Sequence, residues 1–142
     1  MKVKKVNELA IVPTRGSKSA AGYDLYACIS EPCILNTGCT VKIGSGIAAE
    51  IPEGYVGLVF ARSGLATKHG IRPANCVGVI DSDYRGEIIV ALHNDSNISQ
   101  TINPSDRVAQ LVVVPYAAPE LELVDCLEGT ERGSNGFGSS GT

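Results

Sequence analysis

The sequence predicts an all-β fold, a sandwich or distorted barrel of short strands, and three observations carry that prediction. Glycine and proline, 16 and 7 of 142 residues, recur so often that no uninterrupted stretch has the length of an ordinary amphipathic helix. Val, Ile, Thr and Tyr, which suit a pleated and half-buried surface, fill the gaps between them. Turn signals such as Pro52-Glu53-Gly54, Asn94-Asp95-Ser96-Asn97 and Asn103-Pro104-Ser105 punctuate the apolar runs.

In chain order, strands are expected over residues 2–6, 22–27, 40–43, 47–51, 55–61, 75–80, 87–93, 99–102, 107–115 and 120–124. The exception is Ser-Gly-Leu-Ala-Thr-Lys-His at 63–69, which reads as one short helix ended by Gly70. The length suffices for one domain that buries about two-thirds of its unfolded surface, and not comfortably for two. With tryptophan absent and Val, Ile, Leu and Ala abundant, the core is expected to be aliphatic. A sharp composition shift at residue 129 makes 1–128 the expected β domain and 129–142 a flexible Gly/Ser-rich extension of it.

A net charge of −3 argues against a broad nucleic-acid surface, although anions can still bind locally. The charged start has no apolar region of signal-peptide length behind it, and no run approaches the roughly 20 residues that span a bilayer. A soluble cytoplasmic chain with no membrane partner is the expectation. Five cysteines, an odd number with no C-x-x-C pair, suit reduced thiols buried as small hydrophobes. Cys28, Cys33 and Cys39 lack the tight spacing of a zinc site.

The stretch richest in chemistry is Gly78-Val79-Ile80-Asp81-Ser82-Asp83-Tyr84-Arg85-Gly86. With Glu87 and the apolar residues after it, it reads as a β-hairpin. Its tip carries two carboxylates and a tyrosine, more than a turn requires; the alternative is a well-solvated surface turn. Ala21-Gly22-Tyr23-Asp24-Leu25 alternates, placing Asp24 between bulky neighbours as an edge-strand charge or a functional carboxylate. Ala61-Arg62-Ser63-Gly64 sets a guanidinium and a hydroxyl where the helix begins, which suits an anion, or else Ser63 is a plain N-cap with Arg62 in solvent. Strict alternation along Asp106-Arg107-Val108-Ala109-Gln110 puts Arg107 and Gln110 on opposite faces, and Gln110 in an apolar strand needs a partner. In the tail, Arg132 and Phe137 stand out from glycines and serines whose N–H and hydroxyl groups fit a lid over a phosphorylated base.

Taken together and in this order, Ala21-Gly-Tyr-Asp-Leu, Arg62-Ser-Gly, Gly78-Val-Ile-Asp-Ser-Asp-Tyr84, Asp106-Arg-Val-Ala-Gln and Arg132-Gly…Gly136-Phe-Gly-Ser-Ser-Gly closely resemble the five motifs of the trimeric dUTP pyrophosphatase (dUTPase) family. The resemblance spans residues 21–141, with Ala61 where the family usually has proline and Ser140 where it usually has threonine. It implies a jelly-roll-like (β-clip) subunit, a homotrimer with active sites at subunit interfaces, and the reaction dUTP + water → dUMP + pyrophosphate with Mg²⁺ on the triphosphate. That reaction limits uracil in DNA and supplies dUMP for thymidylate synthesis.

By the same resemblance Asp81 is the base that activates water, while Asp83 orients neighbouring polar groups. The backbone of Gly78, Val79 and Ile80 and the side chain of Asn75 read uracil, and Tyr84 packs on the deoxyribose. Arg62, Ser63, Gly64, Gln110, Arg132, Gly138, Ser139 and Ser140 are implied to hold the triphosphate, and Phe137 to stack on the base. Asp24 is implied to hold metal-bound waters rather than the Mg²⁺ itself. A dCTP deaminase or bifunctional deaminase–dUTPase shares the fold, and a dUTP-responsive regulatory module is the alternative outside enzymology. No H-x-E…P-C-x-x-C pattern of zinc deaminases is present.

Overall fold

The computed structural model of the chain describes residues 1–134. Its elements are β1 (Lys2–Lys5), β2 (Thr14–Arg15), β3 (Tyr23–Tyr26), β4 (Cys33–Leu35), β5 (Thr40–Gly44), β6 (Ile47–Glu50), β7 (Tyr55–Phe60), α1 (Ser63–His69), β8 (Ile71–Pro73), β9 (Gly78–Ile80), β10 (Ile89–Asn94), β11 (Gln100–Ile102) and β12 (Arg107–Pro115). The architecture is all-β with one short helix, as the breaker density predicts. Gly70 ends α1 in the left-handed conformation (φ 66°), its N–H bonding to the Leu65 carbonyl.

Every strand pairing among the described residues is antiparallel. The largest sheet runs β2-β3-β12-β7-β9; β5-β10-β8, β1-β6 and β11-β4 complete the jelly-roll-like fold. One aliphatic core lies between them, with Leu25, Val59 and Leu111 from the large sheet meeting Ile43, Val90 and Leu92 from the three-stranded one. Burial of such side chains, at about 1.5–3 kcal/mol each, is the main force holding the sheets together. No helix among the described residues is long and apolar enough to cross a membrane.

Three expectations need correction. The 78–93 segment is not a hairpin: β9 pairs with β7, Ile80 opposite Gly57, whereas β10 pairs with β5 and β8. Residues 81–88 therefore cross from one sheet to another, a topology that turn residues alone do not encode. The alternating residues 120–124 form no strand, because no strand among the described residues pairs with them; Leu121 and Leu123 are fully exposed. The cysteines are all free, but Cys28 and Cys33 are only half-buried and Cys39, Cys76 and Cys126 are exposed. Strands β2, β4 and β8, of two or three residues, were too short for alternation to reveal.

One buried polar side chain ties the sheets together. Asn94 has no exposed surface. It donates to the carbonyls of Leu35 (3.0 Å) and Ile98 (2.8 Å) and accepts from the Ser96 N–H (2.9 Å) and hydroxyl (2.7 Å). Asn94→Leu keeps the volume and strands these partners, so we expect a loss of about 2–4 kcal/mol in urea unfolding. A change below about 1 kcal/mol would show that the network is dispensable.

Candidate active site

The first cluster lies across the large sheet. Thr14, Asp24, Gln110 and Phe60 stand in register on β2, β3, β12 and β7, and Arg62 follows Phe60 by two residues. Asp24 is 9 % exposed, a burial that a carboxylate tolerates only beside cations. Its Oδ1 accepts from Arg62 Nε at 2.9 Å and its Oδ2 from an Arg107 guanidinium nitrogen at 3.3 Å. Arg62 also reaches the Arg107 carbonyl at 3.4 Å. Two guanidiniums against one carboxylate leave an excess positive charge, and each guanidinium has donors that bond none of the described residues and can meet a further acceptor.

Arg107 reaches this cleft because the register with β3 slips between Arg107 and Ala109. The extra residue inverts the alternation, so Arg107 and Gln110 line one cleft of about 570 Å³ although their spacing puts them on opposite faces. Sequence reading therefore missed Arg107 as a site residue, and nothing in the local sequence announces the bulge. Gln110 finds the partner it needs by donating to the Ala61 carbonyl at 3.0 Å. Its carboxamide leaves no room for a side chain at Gly22, where a Cβ would sit 2.7 Å from Oε1.

Both parts of the plain-cap alternative fail. Arg62, not Ser63, occupies the N-cap (φ −82°, ψ 133°), and it is ion-paired rather than solvated. Ser63 and Gly64 are exposed at the mouth of the same cleft.

A second cleft, of about 240 Å³, is lined by Val79, Ile80, Asp81, Tyr84, Glu87 and Ile89. Asp81 is exposed, and its carboxylate accepts no hydrogen bond from the described residues. Asp83, expected to orient polar neighbours, is likewise exposed and bonds no described side chain. The Tyr84 hydroxyl donates to the Glu87 carbonyl at 2.9 Å, and a Cβ at Gly86 would collide with its ring. Asn75 lies in the turn before β9, close to Gly78. That turn is strapped by Arg72, which donates to the carbonyls of Pro73 (3.2 Å) and Ala74 (3.4 Å). Asp95 anchors Arg72 in turn through bonds of 2.6 and 3.1 Å, and the bond raises the pKa of Arg72 further above its ordinary value.

The two clefts share no residue. Gly57 pairs with Ile80, which sets Asp81 level with Val56, while Arg62 lies six residues further along the chain. At roughly 3.3 Å per residue the Asp81 and Arg62 backbones are about 20 Å apart, at opposite ends of β7. Arg132 is exposed, and Phe137, Gly138, Ser139 and Ser140 lie outside the described residues.

A jelly-roll-like β protein with an arginine-walled cleft at one end of a strand and an exposed carboxylate beside a tyrosine at the other is equipped to take a polyanionic ligand bearing a flat group. The dUTPase family model matches residues 8–141. The chain belongs to the dUTPase family. Over 141 residues it is 47 % identical to a deoxyuridine 5'-triphosphate nucleotidohydrolase of Nautilia profundicola, covering 99 % of this chain and 98 % of that one. It is 43 % identical to the enzyme of the same name from Syntrophotalea carbinolica, covering 99 % and 96 %. Among solved structures, the Staphylococcus bacteriophage 80alpha dUTPase with dUPNHPP superposes with a TM-score of 0.90 at 33 % identity, covering 99 % of this chain and 98 % of that one. A mutant dUTPase of phage phi11 of S. aureus, described with a structural Mg(II) ion, gives 0.79 at 30 % identity, covering 90 % and 98 %.

Proposed function

We propose that this chain hydrolyses dUTP to dUMP and pyrophosphate by attack of water on the α-phosphorus. The observation that carries the reading is the division of labour between the clefts, cationic at one end of β7 and carboxylate-bearing at the other, in a chain of the dUTPase family. A carboxylate without a partner among the described residues, as Asp81 is, has lone pairs available to take a proton from water. Arg62, Ser63, Gly64 and Gln110 would hold the phosphates, with Arg107 adding charge; Arg132, Gly138, Ser139 and Ser140 would close over them. Asn75 and the backbone of Gly78, Val79 and Ile80 would read the uracil edge, Tyr84 would exclude a 2′-hydroxyl, and Phe137 would cover the base. Residues 129–142 act as the lid of the 1–128 domain.

A triphosphate spans less than the roughly 20 Å between Arg62 and Asp81, so one chain cannot bring both to the same phosphates. A homotrimer with sites shared between subunits meets that requirement. The fully exposed Leu121 and Leu123, with Leu127 at 87 % exposure, are the surface such an assembly would cover. Five free thiols suit a reducing, cytoplasmic setting.

The site also fits Mg²⁺ carried by the substrate. Among the described residues there is no cluster of three or more His, Cys, Asp or Glu that could ligate a metal directly. Each Asp24 oxygen accepts only one arginine bond and can accept another from a metal-bound water. The ion would neutralise phosphate charge.

The test is pyrophosphate release from dUTP, dCTP, dTTP and UTP, with and without Mg²⁺. We expect rapid release from dUTP, at least about 10²-fold slower release from the others, and no ammonia from dCTP. Tight dUTP binding with turnover near background would instead make the chain a regulatory binding module.

A further inference from the structure

The Tyr84 ring is held by little of its own. Its hydroxyl donates to the Glu87 carbonyl at 2.9 Å, and its ring covers Gly86, where a Cβ could not fit. The ring therefore sits where Glu87 puts it. Glu87 points its side chain the other way, into the turn between β5 and β6, where its Oε1 accepts the Gly46 N–H at 2.6 Å. The carboxylate lies close over the turn, 2.5 Å from where a Cβ at Gly44 would sit. Gly46 adopts φ 66°, and a Cβ there would meet Ala10 and Cys28 at 2.6 Å.

The next residue is fixed by the same turn. Ile88 donates to the Ile47 carbonyl at 2.8 Å, and its own carbonyl accepts from the Ser45 N–H (3.1 Å) and hydroxyl (2.7 Å). Ser45 and Ile88 are each 1 % exposed. Four hydrogen bonds thus lock Glu87 and Ile88 to one rigid turn, and among the described residues the polar tie from there to the Tyr84 side chain is the Glu87 carbonyl.

We infer that Glu87, seated in the Gly44-Ser45-Gly46 turn, is a positioning residue that sets the height of the Tyr84 ring and through it the discrimination between deoxyribose and ribose. This rests on the proposed dUTP hydrolysis and on the role of Tyr84 in it. Glu87 also lines the Asp81 cleft, but its carboxylate is taken up by the Gly46 N–H, so it acts through Tyr84 rather than on the reacting atoms. Glu87→Ala leaves the Gly46 N–H unpaired and frees the loop exit.

The experiment measures kcat and KM for dUTP and UTP in the full chain, with Tm recorded alongside. Glu87→Ala is expected to raise KM for dUTP and lower the dUTP-over-UTP preference, each by about tenfold, with a smaller change in kcat. Glu87→Gln, whose side-chain oxygen still accepts the Gly46 N–H, is expected to return both to within about threefold of the unsubstituted protein. Tyr84→Phe lowers the preference too, and combining it with Glu87→Ala should add little, since both break one chain of contacts. Should Glu87→Ala not fold, Glu87→Asp, one methylene short of Gly46, takes its place. Undiminished preference in Glu87→Ala or its substitute, equal damage in Glu87→Gln, or additive effects in the double variant would each overturn the inference. An unsubstituted protein that releases no pyrophosphate from dUTP would instead overturn the proposed function, so the two failures are distinguishable.

Discussion

Asp81→Asn is expected to lower kcat by about 10²- to 10⁴-fold with little change in KM. The carboxamide keeps the shape of the side chain and can still accept a hydrogen bond, but it cannot take a proton from water at neutral pH. Because the carboxylate is exposed and has no partner among the described residues, its loss strands no donor and should leave Tm almost unchanged. Pre-steady-state pyrophosphate release, which separates binding from chemistry, is the measurement. A rate equal to that of the unsubstituted protein would remove Asp81 as the base.

The second large effect is a recovery. Arg62→Ala and Asp81→Asn chains, each nearly inactive alone, should regain activity when refolded together. If every site takes Arg62 from one subunit and Asp81 from another, random assembly at equal ratio leaves about a quarter of the sites with both residues intact. Sites built within one chain would recover nothing, because every chain in the mixture lacks one of the two. The spacing along β7 is what makes the outcome decisive: Asp81 beside Val56 and Arg62 beyond Phe60 cannot be joined without moving a central strand of the large sheet.

The sequence made some of this legible and hid the rest for identifiable reasons. Glycine and proline spacing revealed the all-β class, and a hydrophilic run ended by Gly70 revealed α1, because local backbone preference decides both. The residues of the arginine cleft were mostly legible as a motif, yet the partner of Arg62 was not. Asp24 and Arg62 are 38 positions apart, and only the β3-β12-β7 pairing brings them together. The supposed hairpin at 78–93 failed because apolar residues on either side of a turn look alike whether the strands pair with each other or with different sheets. Residues 120–124 alternate as a strand should, but pairing needs a neighbour that none of the described residues supplies. Arg107 was misassigned by one residue of register, a quantity that no count of apolar positions contains.

That slip in β12 has a consequence for how the chain can vary. Were β12 to pair with β3 in unbroken register at its present length, Arg107 would turn to the face opposite Gln110, towards aliphatic neighbours such as Leu25 and Leu111. Deleting one residue between them would instead leave the two side chains two positions apart and on one face without any slip. What is constrained here is therefore the match between spacing and register rather than length or identity alone: a conservative exchange at Val108 is absorbed, whereas a change that straightens the strand without shortening it sends a cation into the interior with no anion to meet it.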